Sequence, residues 1–207
     1  MRMELGWLEQ ARRLQAIAQT GIAFAKDPFD LERYEEINRI ALKLFTDLAG
    51  DAPFPIAGLP LSDMGYATPK VDVRGVVFEE DRILMVKEMT DGRWALPGGW
   101  ADVGEAPSES VVKEIREEAG LEVRATKLLA VYDRDRHGHS PHPNYVYKLF
   151  FLCTAIGGTL QNGKETRGVG FYPETELPEL SIDRVTAAQI QRMFEHRRNP
   201  DLPTDFD

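Results

Sequence analysis

With 207 residues, 43% of them hydrophobic and 29% charged, the chain is long enough for one substantial core plus a smaller appendage and should fold without covalent staples. Its net charge of −9, from 25 Lys and Arg against 34 Asp and Glu, argues against a general phosphate-backbone binder, so no nucleic acid is expected as partner. The single Cys153, in the apolar run LFFLC, excludes an internal disulfide, no run approaches about 18 apolar residues, and MRMELGWLEQ is too polar for a signal peptide. A cytoplasmic protein with no membrane partner is the expectation.

Residues 5–25 place Trp7, Ala11, Leu14, Ala18, Ile22 and Ala25 at spacings of three and four, which predicts an amphipathic helix. KDPFD breaks it. Asp27 as N-cap and Pro28 at the first helical position open a second helix, whose stripe is Tyr34, Ile37, Ala41, Leu44 and Leu48. Two such helices cannot bury both stripes against each other alone, so this hairpin, residues 1–50, must dock on the remaining domain or on a second copy of the chain. We expect a homodimer through these helices. Residues 51–66 are rich in Pro and Gly without a period and read as a linker, which leaves 67–207 as the main domain.

That domain opens with β-branched runs, Lys70 to Phe78 and Arg82 to Lys87, joined by the tight connection Glu79-Glu80-Asp81. After Leu96-Pro97-Gly98-Gly99 comes SESVVKEIREEA, free of Gly and Pro, with Val112, Ile115 and Ala119 at helical spacing and Gly120 as its stop. Leu121 to Tyr132, Tyr145 to Thr154 and Gly168 to Tyr172 read as strands, and Asp183 to Arg197 as a closing helix.

The chemistry lies in the helix after Pro107. Glu114, Glu117 and Glu118 fall at i, i+3 and i+4, within an arc of roughly 100°. Like charges so placed repel by a few tenths of a kcal/mol per pair unless a cation neutralises them. On their own three such residues also describe a solvated acidic face. The Gly98-Gly99 turn upstream, able to offer a carbonyl to a ligand, and Glu105 beside the helix start favour the cation. An all-oxygen donor set selects Mg²⁺ or Mn²⁺.

Read as a spacing, the stretch is Gly99, five residues, Glu105, seven residues, then Lys113-Glu114-Ile115-Arg116-Glu117-Glu118-Ala119-Gly120-Leu121. It resembles the Nudix box at every specified position but one, Lys113 standing where the family has Arg. The resemblance implies an α+β fold, a mixed sheet between helices in an α/β/α sandwich. It also implies hydrolysis of a nucleoside diphosphate linked to another moiety, a small-molecule nucleotide substrate. Metal ligands carried over from the family are Glu114, Glu117, Glu118 and the Gly98 carbonyl, with Glu105 acting through a water or by bracing the loop. The general base is Glu114 first and Glu165, in QNGKETRG, second. Lys113 keeps the charge of the family Arg without its planar fork and neighbours Glu117 at i+4.

For the substrate, Arg74 in VDVRG either faces solvent or reaches for phosphate. The loop YDRDRHGHSPHP supplies Asp133 and His137 as candidates to contact the group beyond the diphosphate; its three His at irregular spacing beside Pro make a poor zinc site. The N-terminal run, TPKVDVRGVVF and ETELPELS are similar to Nudix hydrolases with an added helical domain, a subgroup similar to CDP-choline and ADP-ribose pyrophosphatases. That likeness implies CDP-choline first, whose quaternary ammonium Trp94, Trp100, Tyr132 and Tyr145 could receive, and ADP-ribose next. A rival of another class is a non-catalytic nucleotide-sugar sensor.

Overall fold

The computed structural model describes the backbone of residues 2–49 and 64–207 and the side chains of residues 6–47 and 64–207. The expected linker, 51–66, lies outside them except for its last three residues. Packing divides the chain into two units, Met1–Lys70 with Pro141–Tyr145, and Val71–Ser140 with Val146–Asp207.

The first unit is a pair of helices, α1 (Arg2–Phe24) and α2 (Pro28–Ala49). Asp27 caps α2 through Oδ1, which accepts the Phe29 and Asp30 N–H groups at 2.8 and 3.1 Å. The buried stripe of α1 is Leu8, Ala11, Gln15 and Ala18, and Leu8 and Ala11 pack with Phe45 of α2. It is rotated from the expected one: Leu8 is buried in place of Trp7, which is 55% exposed. Phe24, Phe29 and Ile40 are exposed as well. No helix among the described residues is long and apolar enough to cross a membrane.

The second unit is built on β1 (Lys70–Glu79), β2 (Arg82–Glu88), β3 (Trp94–Ala95), α3 (Pro107–Ala119), β4 (Leu121–Asp133), β5 (Val146–Gly158), β6 (Thr166–Pro173), α4 (Ala187–Arg198) and β7 (Asp205–Phe206). The sheet runs β3-β2-β1-β5-β4-β7, with β6 also on β2. β1 and β2 form the expected antiparallel hairpin, Phe78 opposite Ile83, while β7 joins β4 in parallel, so the sheet is mixed. Successive residues of β2 serve opposite faces. Ile83 and Met85 meet Ile190, Met193 and Phe194 of α4, whereas Leu84 and Val86 meet Val111, Ile115 and Ala119 of α3. Both faces are covered, which is why the strand reads as a continuous apolar run. The α/β/α sandwich puts α3 and its carboxylates on one side of β1 and β2.

Candidate functional site

The segment from Pro97 to Ala101 runs beside β1. Gly75 N–H donates to Pro97 O at 2.8 Å, Val73 N–H to Gly99 O at 2.8 Å, and Ala101 N–H to Val71 O at 2.9 Å. Only glycine fits at 98: its φ is +143°, and a Cβ there would sit 2.0 Å from the Val73 carbonyl oxygen. So seated, Gly98 N–H donates to Glu118 Oε2 at 2.8 Å. A Cβ on Gly99 would come within 3.3 Å of Glu114 Oε1, so the turn abuts two of the three box carboxylates. α3 is fixed at its ends by Glu109 Oε2, which accepts the Ala106 N–H at 2.8 Å, and by Gly120 in the left-handed region, whose N–H donates to Arg116 O at 3.1 Å.

Glu118 is buried, Glu114 half-buried and Glu117 exposed. Burial, aided by the charges of Glu88 and Glu114, lifts the Glu118 carboxyl to about 8, against the opposing pull of Arg74 and the Gly98 N–H. Glu114 is raised by burial and by Glu117 and Glu165, with Arg74 and Lys113 opposing.

A later loop completes the group. Thr166 Oγ1 donates to Glu118 O at 2.8 Å and accepts the Gly163 N–H at 2.8 Å, while Gln161 N–H donates to Ala119 O at 3.1 Å. These bonds pin residues 161–166 to the last turn of α3, and Met89 N–H donates to Glu165 O at 3.1 Å. Glu165, named from the sequence, is thereby placed where its charge acts on both Glu114 and Glu88. Glu88 was not legible in the sequence. It is buried at the end of β2, paired with Arg184 Nε at 3.0 Å, and raised chiefly by burial.

Other expected residues are placed differently. Arg74 is neither on a solvent face nor open to phosphate: it is 4% exposed and spends its guanidinium on Asp72 and the Leu96 carbonyl. Lys113 does not reach along the helix to Glu117. The loop folds over the start of α3, so Lys113 Nζ meets Asp102 Oδ2 at 2.7 Å and Glu105 Oε1 at 3.0 Å, and Ser110 Oγ donates to Glu105 Oε2 at 2.8 Å. Of the two roles expected for Glu105, this geometry supports bracing the loop.

Asp133 Oδ1 accepts the Asp135 N–H at 3.0 Å, and its own N–H donates to Asp207 Oδ2 at 2.6 Å. His137 bonds Asp207 Oδ1 at 2.9 Å and stacks on Tyr132 at 3.9 Å between centroids. Both are tied to the segment 205–207, whose pairing with β4 the sequence did not disclose. The aromatic residues expected to receive choline have other partners. Trp94 packs edge-on against Tyr172, Tyr132 is buried on Phe150, and Tyr145 belongs with the first unit under Arg12. Trp100, half exposed, bridges to Asp72 through the backbone next to the turn.

Among the described residues no three His, Cys, Asp or Glu side chains are gathered as a ready metal-binding group. The carboxylates turn to local donors instead, Glu118 to Gly98 N–H and Glu105 to Lys113. The donor chemistry still fits a hard divalent cation: every candidate atom is oxygen, and Glu114 and Glu118 are desolvated, mutually repelling and side by side against the Gly98-Gly99 turn.

Comparison with known proteins agrees with this architecture. Residues 68–193 match the NUDIX domain, and residues 6–58 match the domain described as UDP-X-like, N-terminal oligomerisation domain. YjhB of Bacillus subtilis (strain 168), by name a candidate ADP-ribose pyrophosphatase, is 44% identical over 207 residues, covering 100% of both chains. A solved ADP-ribose pyrophosphatase from Streptococcus suis 89-1591 superposes with a TM-score of 0.62 at 42% identity, over 68% of this chain and 100% of that one. A solved UDP-X diphosphatase gives 0.64 at 31% identity, over 99% of each chain. The chain therefore belongs to the Nudix hydrolase family, as a pyrophosphohydrolase domain preceded by the family's N-terminal oligomerisation domain.

Proposed function

We propose that the chain cleaves the diphosphate of ADP-ribose, with CDP-choline second, in a reaction that depends on Mg²⁺ or Mn²⁺. What carries the reading of the site is the placement of Glu114 and Glu118 against the Gly98-Gly99 turn, with the Glu165 loop bonded to the same helix. A divalent cation held by Glu114, Glu117, Glu118 and the Gly98 carbonyl would neutralise the diphosphate oxygens and acidify a water for attack. Glu114, raised by burial, is the first candidate to take that proton; Glu165 is the second. Lys113, Glu105 and Ser110 brace the loop that carries the turn.

The order of substrates departs from the expectation drawn from the helical subgroup. The whole-length relative YjhB and the Streptococcus suis structure carry ADP-ribose in their names, and two of the aromatic residues that would face choline, Trp94 and Tyr132, are engaged by Tyr172 and by His137. A sensing role without catalysis has nothing in the site to favour it, since the box glutamates are all present. The hairpin, with Trp7, Phe24 and Phe29 outward, supports a homodimer. Hydrolysis assays of Glu114→Gln and Glu165→Gln test the assignment of the base: the larger loss of kcat should follow Glu114→Gln, and the reverse order would transfer the role to Glu165.

A further inference from the structure

We propose that Asp72 is a positioning residue for the hydrolysis, tethering the Arg74 guanidinium away from the box carboxylates and so leaving them open to the divalent cation. The inference rests on the metal reading of Glu114 and Glu118 given above. Asp72, Arg74 and Lys148 are 5%, 4% and 1% exposed, three charged side chains in one buried cluster. Charges buried this way cost more desolvation than apolar side chains of the same size, so packing alone does not account for them.

Both oxygens of Asp72 are engaged. Oδ1 accepts from Lys148 Nζ at 2.6 Å and from Arg74 Nε at 2.9 Å, and Oδ2 accepts from Arg74 Nη2 at 2.6 Å. The remaining arm, Nη1, donates to the Leu96 carbonyl at 3.1 Å, two residues before Gly98. The guanidinium is thus fixed on both edges, and Lys148 fixes the carboxylate that holds it. Arg74 is still close enough to Glu118 and Glu114 to oppose the rise that burial imposes on each. Yet it forms an ion pair with neither; its partner is Asp72.

A guanidinium in a water-poor site beside a carboxylate forms a bidentate pair with it unless something else occupies the fork. Here Asp72 is that occupant. Without it, the anions left facing Arg74 are Glu118, Glu88 and Glu114. A pair between Arg74 and Glu118 or Glu114 would compete with the cation for the same oxygens. The charged triad therefore separates two uses of positive charge: Arg74 acts on the site from a distance, and the direct contacts are left to a cation that Glu114 and Glu118 would hold.

The test is a Mn²⁺ titration without substrate, followed by the electron paramagnetic resonance of the free ion. Asp72→Asn should raise the half-saturating Mn²⁺ concentration by at least about tenfold over wild type. Adding Arg74→Gln to that variant should bring the midpoint back to within about threefold, because the competitor is gone; a merely structural role for Asp72 predicts that the double variant binds no better than the single. Arg74→Gln alone, which keeps the Asp72–Lys148 pair, carries the test where Asp72→Asn does not fold. Its midpoint should stay at or below that of wild type, and a rise of about tenfold would overturn the tether. An unchanged midpoint in folded Asp72→Asn also overturns it while leaving the metal assignment standing. Failure of wild type to bind Mn²⁺ removes the assignment itself and the tether with it.

Discussion

Glu118 combines the features that make a carboxylate a metal ligand in waiting. Burial and its acidic neighbours raise it from 4.5 to about 8, so between those values the folded chain keeps a proton that the unfolded chain has lost. Metal-free stability should accordingly fall as pH rises through that window. A cation held by Glu118 would displace the proton, so saturating Mg²⁺ should raise Tm more at pH 8 than at pH 6; calorimetry at the two pH values checks this, and equal shifts would contradict it. Glu118→Gln should lower Mg²⁺-dependent kcat by at least about 10²-fold with the fold retained, measured beside circular dichroism. Lys113 bridges Asp102 and Glu105 as a flexible point charge, a task that a planar fork performs at least as well. Lys113→Arg should hold kcat at or above wild type, and a loss of more than about tenfold would show a role specific to lysine.

At the scale of elements, α3 was legible because its signals are local: Pro107 at the first turn, Gly120 at the stop, and carboxylates at helical spacing. The long strands of the sheet were legible from their apolar runs, whereas β3 and β7, two residues each, carry no period to read. What the sequence withheld depends on partners distant along the chain. Arg74 could be read as solvated or phosphate-seeking because its setting is made by Lys148, 76 residues beyond Asp72, and Glu88 stayed hidden because its partner Arg184 lies just before α4. The loop before β6 shows the mixed case: Glu165 could be named, but its docking runs through Thr166 and Gly163. A Cβ on Gly163 would lie 2.0 Å from the Glu117 carbonyl oxygen, so Gly163→Ala must push the loop off α3. The expected cost is about 1–3 kcal/mol in urea unfolding, with a fall in kcat; wild-type stability and kcat together would show that the docking is dispensable.

For the whole molecule, the hairpin leaves Trp7, Phe24 and Phe29 exposed, and these lie within the match to an oligomerisation domain, so we propose that this apolar surface is the dimer contact. Light scattering at micromolar concentration should return twice the 23.4 kDa chain mass, and Trp7→Glu with Phe24→Glu should shift it toward the monomer. In the proposed reaction the box glutamates, the Gly98 turn and the Glu165 loop would act on a diphosphate, while the substrate would be chosen by groups that contact the moieties on either side of it. The most direct measurement is a Mg²⁺-dependent hydrolysis panel of nucleoside diphosphates linked to sugars or alcohols, with products identified. AMP plus ribose 5-phosphate from ADP-ribose, at a higher kcat/KM than CMP plus phosphocholine from CDP-choline, is the predicted result; absence of metal-dependent cleavage across the panel would contradict the account.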